Sequence, residues 1–353
     1  MTGPPSPALR LRPGLRVLTR ADDEVQIGTD PRWAVRLVGL RPAEVRLWGG
    51  VDATTDLSTL PARARALGTD AAAVAATVDD LRRAGLTRHR PDAVRGPTAA
   101  DAVAWTLLLP DATGDDVVTA RERAVVGVVG LGPTGLGIAR HLAVAGVGSL
   151  LLDDEAPVRS PDVAAGIHRW ADVGAPRAVA ARRALREAAP GVRFDGDDDP
   201  DVVVVVEHEA ADPLRAAVLT AHGVAHLSVV VRTADALVGP MVRPGTDPCL
   251  RCLDLHRADA DPAWPTVLGS LTGPGAADVP ASGEVGVLAG ACASSAAAHV
   301  LSLLAGATPV TCGATLELAL PDLVARERRF GPHPACGCVT PPGTTAGAGS
   351  HEE

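Results

Sequence analysis

The sequence predicts an α/β protein: a doubly wound, mostly parallel sheet, preceded by a small α+β module. Three observations carry that prediction. From Arg123 onward, apolar strand-like runs alternate with helical runs, the order that builds a parallel sheet with helices on both faces. A glycine-rich turn, GLGPTG at 130–135, joins the first of these strands to the first helix. Four of the six cysteines fall in two close pairs far apart in sequence, as in a site that closes a fold.

At 353 residues, two domains is the default. Hydrophobic residues are 46% and charged residues 21%, which argues against wholesale disorder. The net charge of −9 does not describe a general nucleic-acid binder. All 33 basic residues are arginine, and they are unevenly placed. Residues 1–97 hold 15 of them against 11 acids, whereas the rest of the chain is strongly acidic. A mildly basic front end on an acidic body fits two modules with different partners. No apolar run is expected to span a bilayer, and MTGPPSPALRLRPG lacks an apolar signal core. The expectation is a cytoplasmic protein without membrane partners, in which paired cysteines bind metal rather than form disulfides.

The expected organisation is a winged-helix-like module over 1–97, a linker over 98–122, a nucleotide-binding domain over 123–339 and a disordered tail over 340–353. Within 9–40, LRLRPGLRVLTR, EVQIG and WAVRLVGL read as short strands split by PG and TDP turns. Residues 42–60 hold a short helix and a wing-like connection. TDAAAVAATVDDLRRAGL (69–86) is an amphipathic helix with Val74, Val78 and Leu81 on one face and Gly85 at its C-terminal end. VAWTLLL (103–109) is expected to be an isolated strand in the linker. Strand, glycine turn, helix and strand follow over 123–153, then a helix over 174–190. DVVVVVEH (201–208) is a continuous apolar run suited to a strand buried on both faces. A helix (214–223), a strand (224–232), a small-residue helix (286–306) and a closing hairpin complete the order.

In the glycine turn, Gly130 permits the tight bend, Gly132 lets backbone approach a phosphate, and Gly135 lets helix and strand pack closely. Asp153 ends the next strand, where a carboxylate can hold ribose hydroxyls. The plainer alternative is a tight turn with no ligand. Cys249 and Cys252 of DPCLRC, with Cys336 and Cys338 of HPACGC, can complete a tetrahedral zinc site, with His333 able to replace one thiolate. Such a closed site is structural. Cys292, within the small-residue helix, reads as a core residue, and Cys312 has no assigned role.

These motifs, with AVAGVGSLLLDD, VGAPRAVAARRAL, the GVLAGACASSAAAHVLSLLAG helix and the closing RRFGPHPACGC, resemble the ubiquitin-activating-like superfamily of ThiF and MoeB from about Ala124 to Val339. The resemblance implies a Rossmann-like fold, structural zinc, and adenylation of the C-terminal carboxylate of a peptide or small ubiquitin-like protein with MgATP. It also implies a homodimer. The family's phosphate-binding Lys falls on Arg177. Its Asn and Arg after the ribose Asp fall on Pro161 and Ala164, and its Mg-binding Asp falls near Glu207-His208-Glu209. Arg159, Arg169 and His168 stand nearby as substitutes. The front end resembles PqqD-type peptide-recognition domains, which bind a leader peptide as an added strand. The leading expectation is therefore a zinc protein that binds a peptide and possibly ATP. It is degenerate for adenylation and presents its substrate to a partner modification enzyme. An active adenylyltransferase is the alternative, and an NAD(P)-dependent oxidoreductase a third reading.

Overall fold

The computed structural model describes residues 8–89, 96–109, 113–163, 166–195, 199–273 and 283–339. The expected tail at 340–353 and the aligned Ala164 lie outside them. The chain divides into two compact units, Met1–Thr119 and Ala120–Glu353.

In the first unit, β1 (Arg10–Leu11) pairs antiparallel with β5 (Thr87–Arg88). β2 (Val17–Ala21), β3 (Glu24–Ile27) and β4 (Val35–Leu37) form an antiparallel sheet in that order, so β2 and β4 are its edges. Helices α1 (Pro42–Gly49), α2 (Leu60–Ala66) and α3 (Ala71–Arg83) follow. α3 starts where the Asp70 side chain accepts the N–H groups of Ala72 and Ala73. It ends at Gly85, whose φ of +70° is the left-handed turn glycine tolerates. Val74, Val78 and Leu81 of α3 join Ile27, Leu57, Leu60 and Trp48 in one core.

The expected linker is helical. VAWTLLL lies in α4 (Ala99–Leu108), and α5 (Gly114–Arg123) follows, correcting the strand expected at 103–109. A mainly apolar run of seven residues does not distinguish strand from buried helix. Here Thr106 settles the matter locally. Its hydroxyl donates to the Ala102 carbonyl one turn back and accepts the Gly114 N–H at 2.7 Å. Gly114 sits so close to Ala102 that a Cβ there would strike the Ala102 carbonyl oxygen.

In the second unit the expected parallel order holds. β6 (Val125–Val129), α6 (Pro133–Val144), β7 (Ser149–Asp153), α7 (Ser160–Val163), α8 (Arg177–Ala188), β8 (Val202–His208), α9 (Pro213–Ala221) and β9 (His226–Val231) come first. β10 (Asp235–Val242), α10 (Leu250–Ala260), α11 (Trp264–Thr272), α12 (Gly286–Leu304), β11 (Ala314–Ala319) and β12 (Arg326–Arg329) follow. Among the described residues these strands make one seven-stranded sheet, ordered β12-β11-β10-β9-β8-β6-β7. The four strands β9, β8, β6 and β7 are mutually parallel, and the rest are added antiparallel. Because β7 lies on one side of β6 and β8 on the other, a crevice opens between the C-terminal ends of β6 and β8, where such sheets bind ligands.

α12 is the small-residue helix expected at 286–306. Its 19 residues, with mean hydropathy 1.7, are long and apolar enough by composition to cross a bilayer. In the structure Leu288, Ala289, Cys292, Ala293, Ala296, Ala297 and Val300 are buried in the core that α12 shares with α6 and the sheet. A small-residue stripe lets the helices approach closely: a Cβ on Gly137 of α6 would lie 2.8 Å from the Ala293 Cβ.

Candidate functional site

The crevice is built on the glycine turn. Gly130 has φ +82°, and a Cβ there would strike the Val206 carbonyl of β8; a Cβ on Gly135 would strike the Gly130 carbonyl. Both positions need glycine for the reasons read from the sequence. The Gly130 N–H donates to the Asp153 carbonyl at 2.9 Å, tying the turn to the end of β7, and the Asp153 side chain is exposed there.

Asp153 apart, the charged groups that meet this turn are paired. The Leu131 N–H donates to Asp154 Oδ2 at 2.7 Å. Arg177, at the start of α8, reaches the same oxygen at 3.3 Å. Its Nε and a terminal nitrogen donate to Asp162 Oδ2 at 3.1 and 2.7 Å. Asp162 is only 1% exposed and also accepts the Arg159 N–H at 2.9 Å. Burial works against the Arg177 charge, yet its pKa is raised overall by Asp162 and then Asp154. Arg177 is thus next to the turn as expected, but its guanidinium is held by two carboxylates.

The N-terminus of α6 is paired as well. Glu284, 2% exposed by its side chain, accepts the Thr134 N–H at 2.7 Å and the Thr134 hydroxyl, and its Oε1 accepts from His208 Nε2 at 3.2 Å. A carboxylate here is stabilised by the free N–H groups and the helix dipole. A Cβ on Gly132 would lie 2.5 Å from Glu284 Oε1, so this glycine makes room for a side chain of the same protein. Gly283 (φ +83°) packs on Pro161.

The other sequence candidates distribute as follows. His168 is buried and donates to the Leu131 carbonyl at 2.9 Å, supporting the turn from beneath. Arg169 pairs with Asp172 and Glu187. Alternation along β8 sends Glu207 away from the glycine turn. It accepts from Arg215 at 2.8 Å and from the Asp212 N–H at 3.2 Å, and burial pushes its pKa up. The residue of this trio that meets the glycine-turn helix through Glu284 is His208, and Mg²⁺ prefers oxygen ligands. Cys292 is fully buried, with its pKa pushed up to about 12 by desolvation and by Glu284, so it is a core thiol.

The cysteine pairs converge. Cys249 caps α10, Cys252 lies in its first turn, and Cys336 and Cys338 follow β12. Cys249 and Cys336 sulfurs are 3.5 Å apart, and those of Cys252 and Cys338 are 3.3 Å apart. A tetrahedral site with metal–sulfur bonds of about 2.3 Å needs sulfurs about 3.8 Å apart, so the set fits a zinc-sized ion. Gly337, with φ +70°, makes the sharp turn needed when one residue separates two ligands. Burial pushes Cys336 up to about 11, and Cys338 up too. Cys252 goes down despite burial, through hydrogen bonds from the His333 backbone and Cys338. His333 does not join the set. Its Nδ1 accepts the Ala335 N–H at 3.1 Å, which places the proton on Nε2, 2.9 Å from Asp259.

Glu284, Asp154 and Asp162 were missed by sequence reasoning. Asp154 was visible as the second acid of LLDDE, but nothing in sequence places Glu284 against Thr134, 150 residues away.

Residues 106–339 match the ThiF family. No curated protein sequence matches the chain. Among solved structures, E. coli MccB with ATP superposes with a TM-score of 0.70 at 12% identity, covering 94% of this chain and 99% of that one. The microcin C7 biosynthetic enzyme MccB in complex with N-formylated MccA gives 0.71 at 12% identity, covering 94% and 99%. PaaA gives 0.68 at 14% identity, covering 90% and 99%. These likenesses are of fold.

Proposed function

Since the chain belongs to the ThiF family, we propose that it is a peptide-binding member whose nucleotide crevice is degenerate for adenylation, so that it presents its substrate to a partner modification enzyme. The observation that carries this reading is the pairing of Arg177 with Asp154 and Asp162. A guanidinium neutralised by two carboxylates offers little to a phosphate whose charge grows in the transition state, and only such differential interactions accelerate chemistry. Pro161, standing where the family places a polar group, supports it further, as does His208, a poor Mg²⁺ ligand in the stretch Glu207-His208-Glu209 near which the family's metal-binding Asp falls. The exposed Asp153 and the intact glycine turn support residual ribose binding, which favours weak ATP or AMP affinity.

A peptide substrate is supported by MccB, which was solved with the peptide partner MccA. In this reading the first unit is the winged-helix-like clasp, and β2 or β4 offers the free edge to which an extended peptide adds as a strand. Zinc held by Cys249, Cys252, Cys336 and Cys338 serves structure, since four thiolates leave no position for water. The competing reading is an active adenylyltransferase. ATP–pyrophosphate exchange with candidate peptides, beside ATP-binding calorimetry, separates the two. Weak binding without exchange supports degeneracy, and robust exchange replaces it with the active enzyme. Deletion of residues 1–95 should abolish peptide capture, and retained capture rejects the clasp.

A further inference from the structure

At the C-terminal ends of β8 and β9, on the sheet face that carries Glu207, lies a cavity of about 100 Å³. Its walls follow from two periodicities. Ser228, Val230 and Arg232 alternate along β9 and its end, so all three face one side of the sheet. Leu250, Leu253, Asp254 and Arg257 recur at helical spacing on α10 and close over them. Trp264 of α11 and Glu209, the residue after His208, also line it.

The polar groups here are unevenly satisfied. Ser228 is 2% exposed, and its hydroxyl has no hydrogen-bond partner among the described residues. Asp254 Oδ1 accepts the Trp264 indole N–H at 3.0 Å and a long 3.4 Å contact from Arg257. Arg257 lies over the Trp264 ring, 4.8 Å from its centroid. A guanidinium carries five N–H donors, so this one long bond leaves most of them for a ligand. Arg232, by contrast, is held by both oxygens of Asp235. The cavity therefore offers a hydroxyl and a guanidinium as donors, in a space that suits few atoms: a cavity of about 150 Å³ takes benzene, so about 100 Å³ takes roughly four heavy atoms.

We infer that this cavity is a side-chain pocket for a short carboxylate, that of an aspartate in the peptide, held by Arg257 and Ser228. The inference rests on the peptide-binding reading and adds a selectivity to it. An aspartate side chain beyond Cα is four heavy atoms with two acceptor oxygens, which fits both the volume and the donors. A leucine side chain has the same number of heavy atoms but leaves both donors unpaired, which polar sites reject strongly.

The test is calorimetric titration of the full chain with the dipeptides Gly-Asp, Gly-Asn, Gly-Leu and Gly-Gly. Gly-Asp should bind at least about tenfold more tightly than Gly-Leu or Gly-Gly, and more tightly than Gly-Asn. Arg257→Met should erase the Gly-Asp preference, and Ser228→Ala should reduce it severalfold while keeping the fold intact if Arg257→Met does not. Equal affinity for all four, no binding of any, or a preference that survives both substitutions overturns the pocket. Peptide capture by the full chain, measured separately, reports on the broader reading. Capture that persists without an aspartate preference sinks only the pocket, whereas loss of all capture sinks the reading beneath it.

Discussion

The cysteine cluster and the glycine-turn crevice lie in the same unit, and they treat charge in opposite ways. At the cluster, four thiols meet around one point, so ionising them together is favoured by a cation there. At the crevice, three donors have internal carboxylates: Arg177 has Asp154 and Asp162, the Leu131 N–H has Asp154, and the Thr134 N–H has Glu284. The first arrangement suits a cation. The second is largely satisfied within the protein, Asp153 excepted. A shared fold thus carries one site whose residues suit an ion and another whose main groups are paired within the protein.

The contrast predicts its largest effect at the cluster. Cys252→Ser, at the most buried of the four, should lower the metal content from about one zinc per chain to well below half. It should also lower the melting temperature by about 10 °C or more, because metal binding is folding free energy there. Chelation of the wild type should approach the same melting curve. Zinc-free protein that melts unchanged after Cys252→Ser breaks the comparison on this side.

Next comes the crevice. Arg177→Ala should behave as a structural lesion rather than a binding one. It removes the closest counter-charge of the almost fully buried Asp162, leaving only Arg159 at 3.8 Å, and breaking such a buried pair costs about 3–5 kcal/mol. Denaturant unfolding reads that cost directly. If Arg177→Ala instead abolishes nucleotide binding at nearly unchanged stability, the arginine serves a phosphate and the crevice is not self-contained.

These two regions also differ in how far the sequence displays them. The cysteines are legible because a rare residue type recurs in pairs at turns, and the glycine turn because its spacing follows from backbone geometry. The parallel order of β6 to β9 is legible because buried strands are continuous apolar runs. What is not legible is pairing across distance. Glu284 follows a stretch rich in glycine, alanine and proline and carries no local signal, while Asp162 stands in a four-residue helix whose tertiary partner is fifteen residues on. The expected strand at 103–109 failed for a related reason: Thr106 and Gly114 fix it as a helix only once α4 and α5 meet.

A smaller effect should follow at Glu284. Glu284→Gln keeps an acceptor for Thr134 but removes the charge that the α6 N-terminus stabilises. The expected loss is about 1–2 kcal/mol in thermal or denaturant unfolding. No loss at all implies that this helix end does not rely on an internal carboxylate.

The smallest effect on stability is expected at Asp153, and it is the most telling for ligand binding. The carboxylate is exposed at the end of β7, so Asp153→Ala should change stability by no more than about 0.5 kcal/mol. Yet among the crevice acids it alone is not engaged in neutralising Arg177, Leu131 or Thr134, which leaves it available for ribose hydroxyls. Asp153→Ala should therefore abolish the weak ATP or AMP binding seen by calorimetry, while Cys292→Ala, which alters only a buried thiol, leaves that binding intact. The pairing of an unchanged melting curve with lost nucleotide binding is the signature of a group held for a ligand. Nucleotide binding that survives Asp153→Ala moves the ribose elsewhere. Its absence from the wild type makes the whole crevice structural, and the contrast with the cysteine cluster becomes complete.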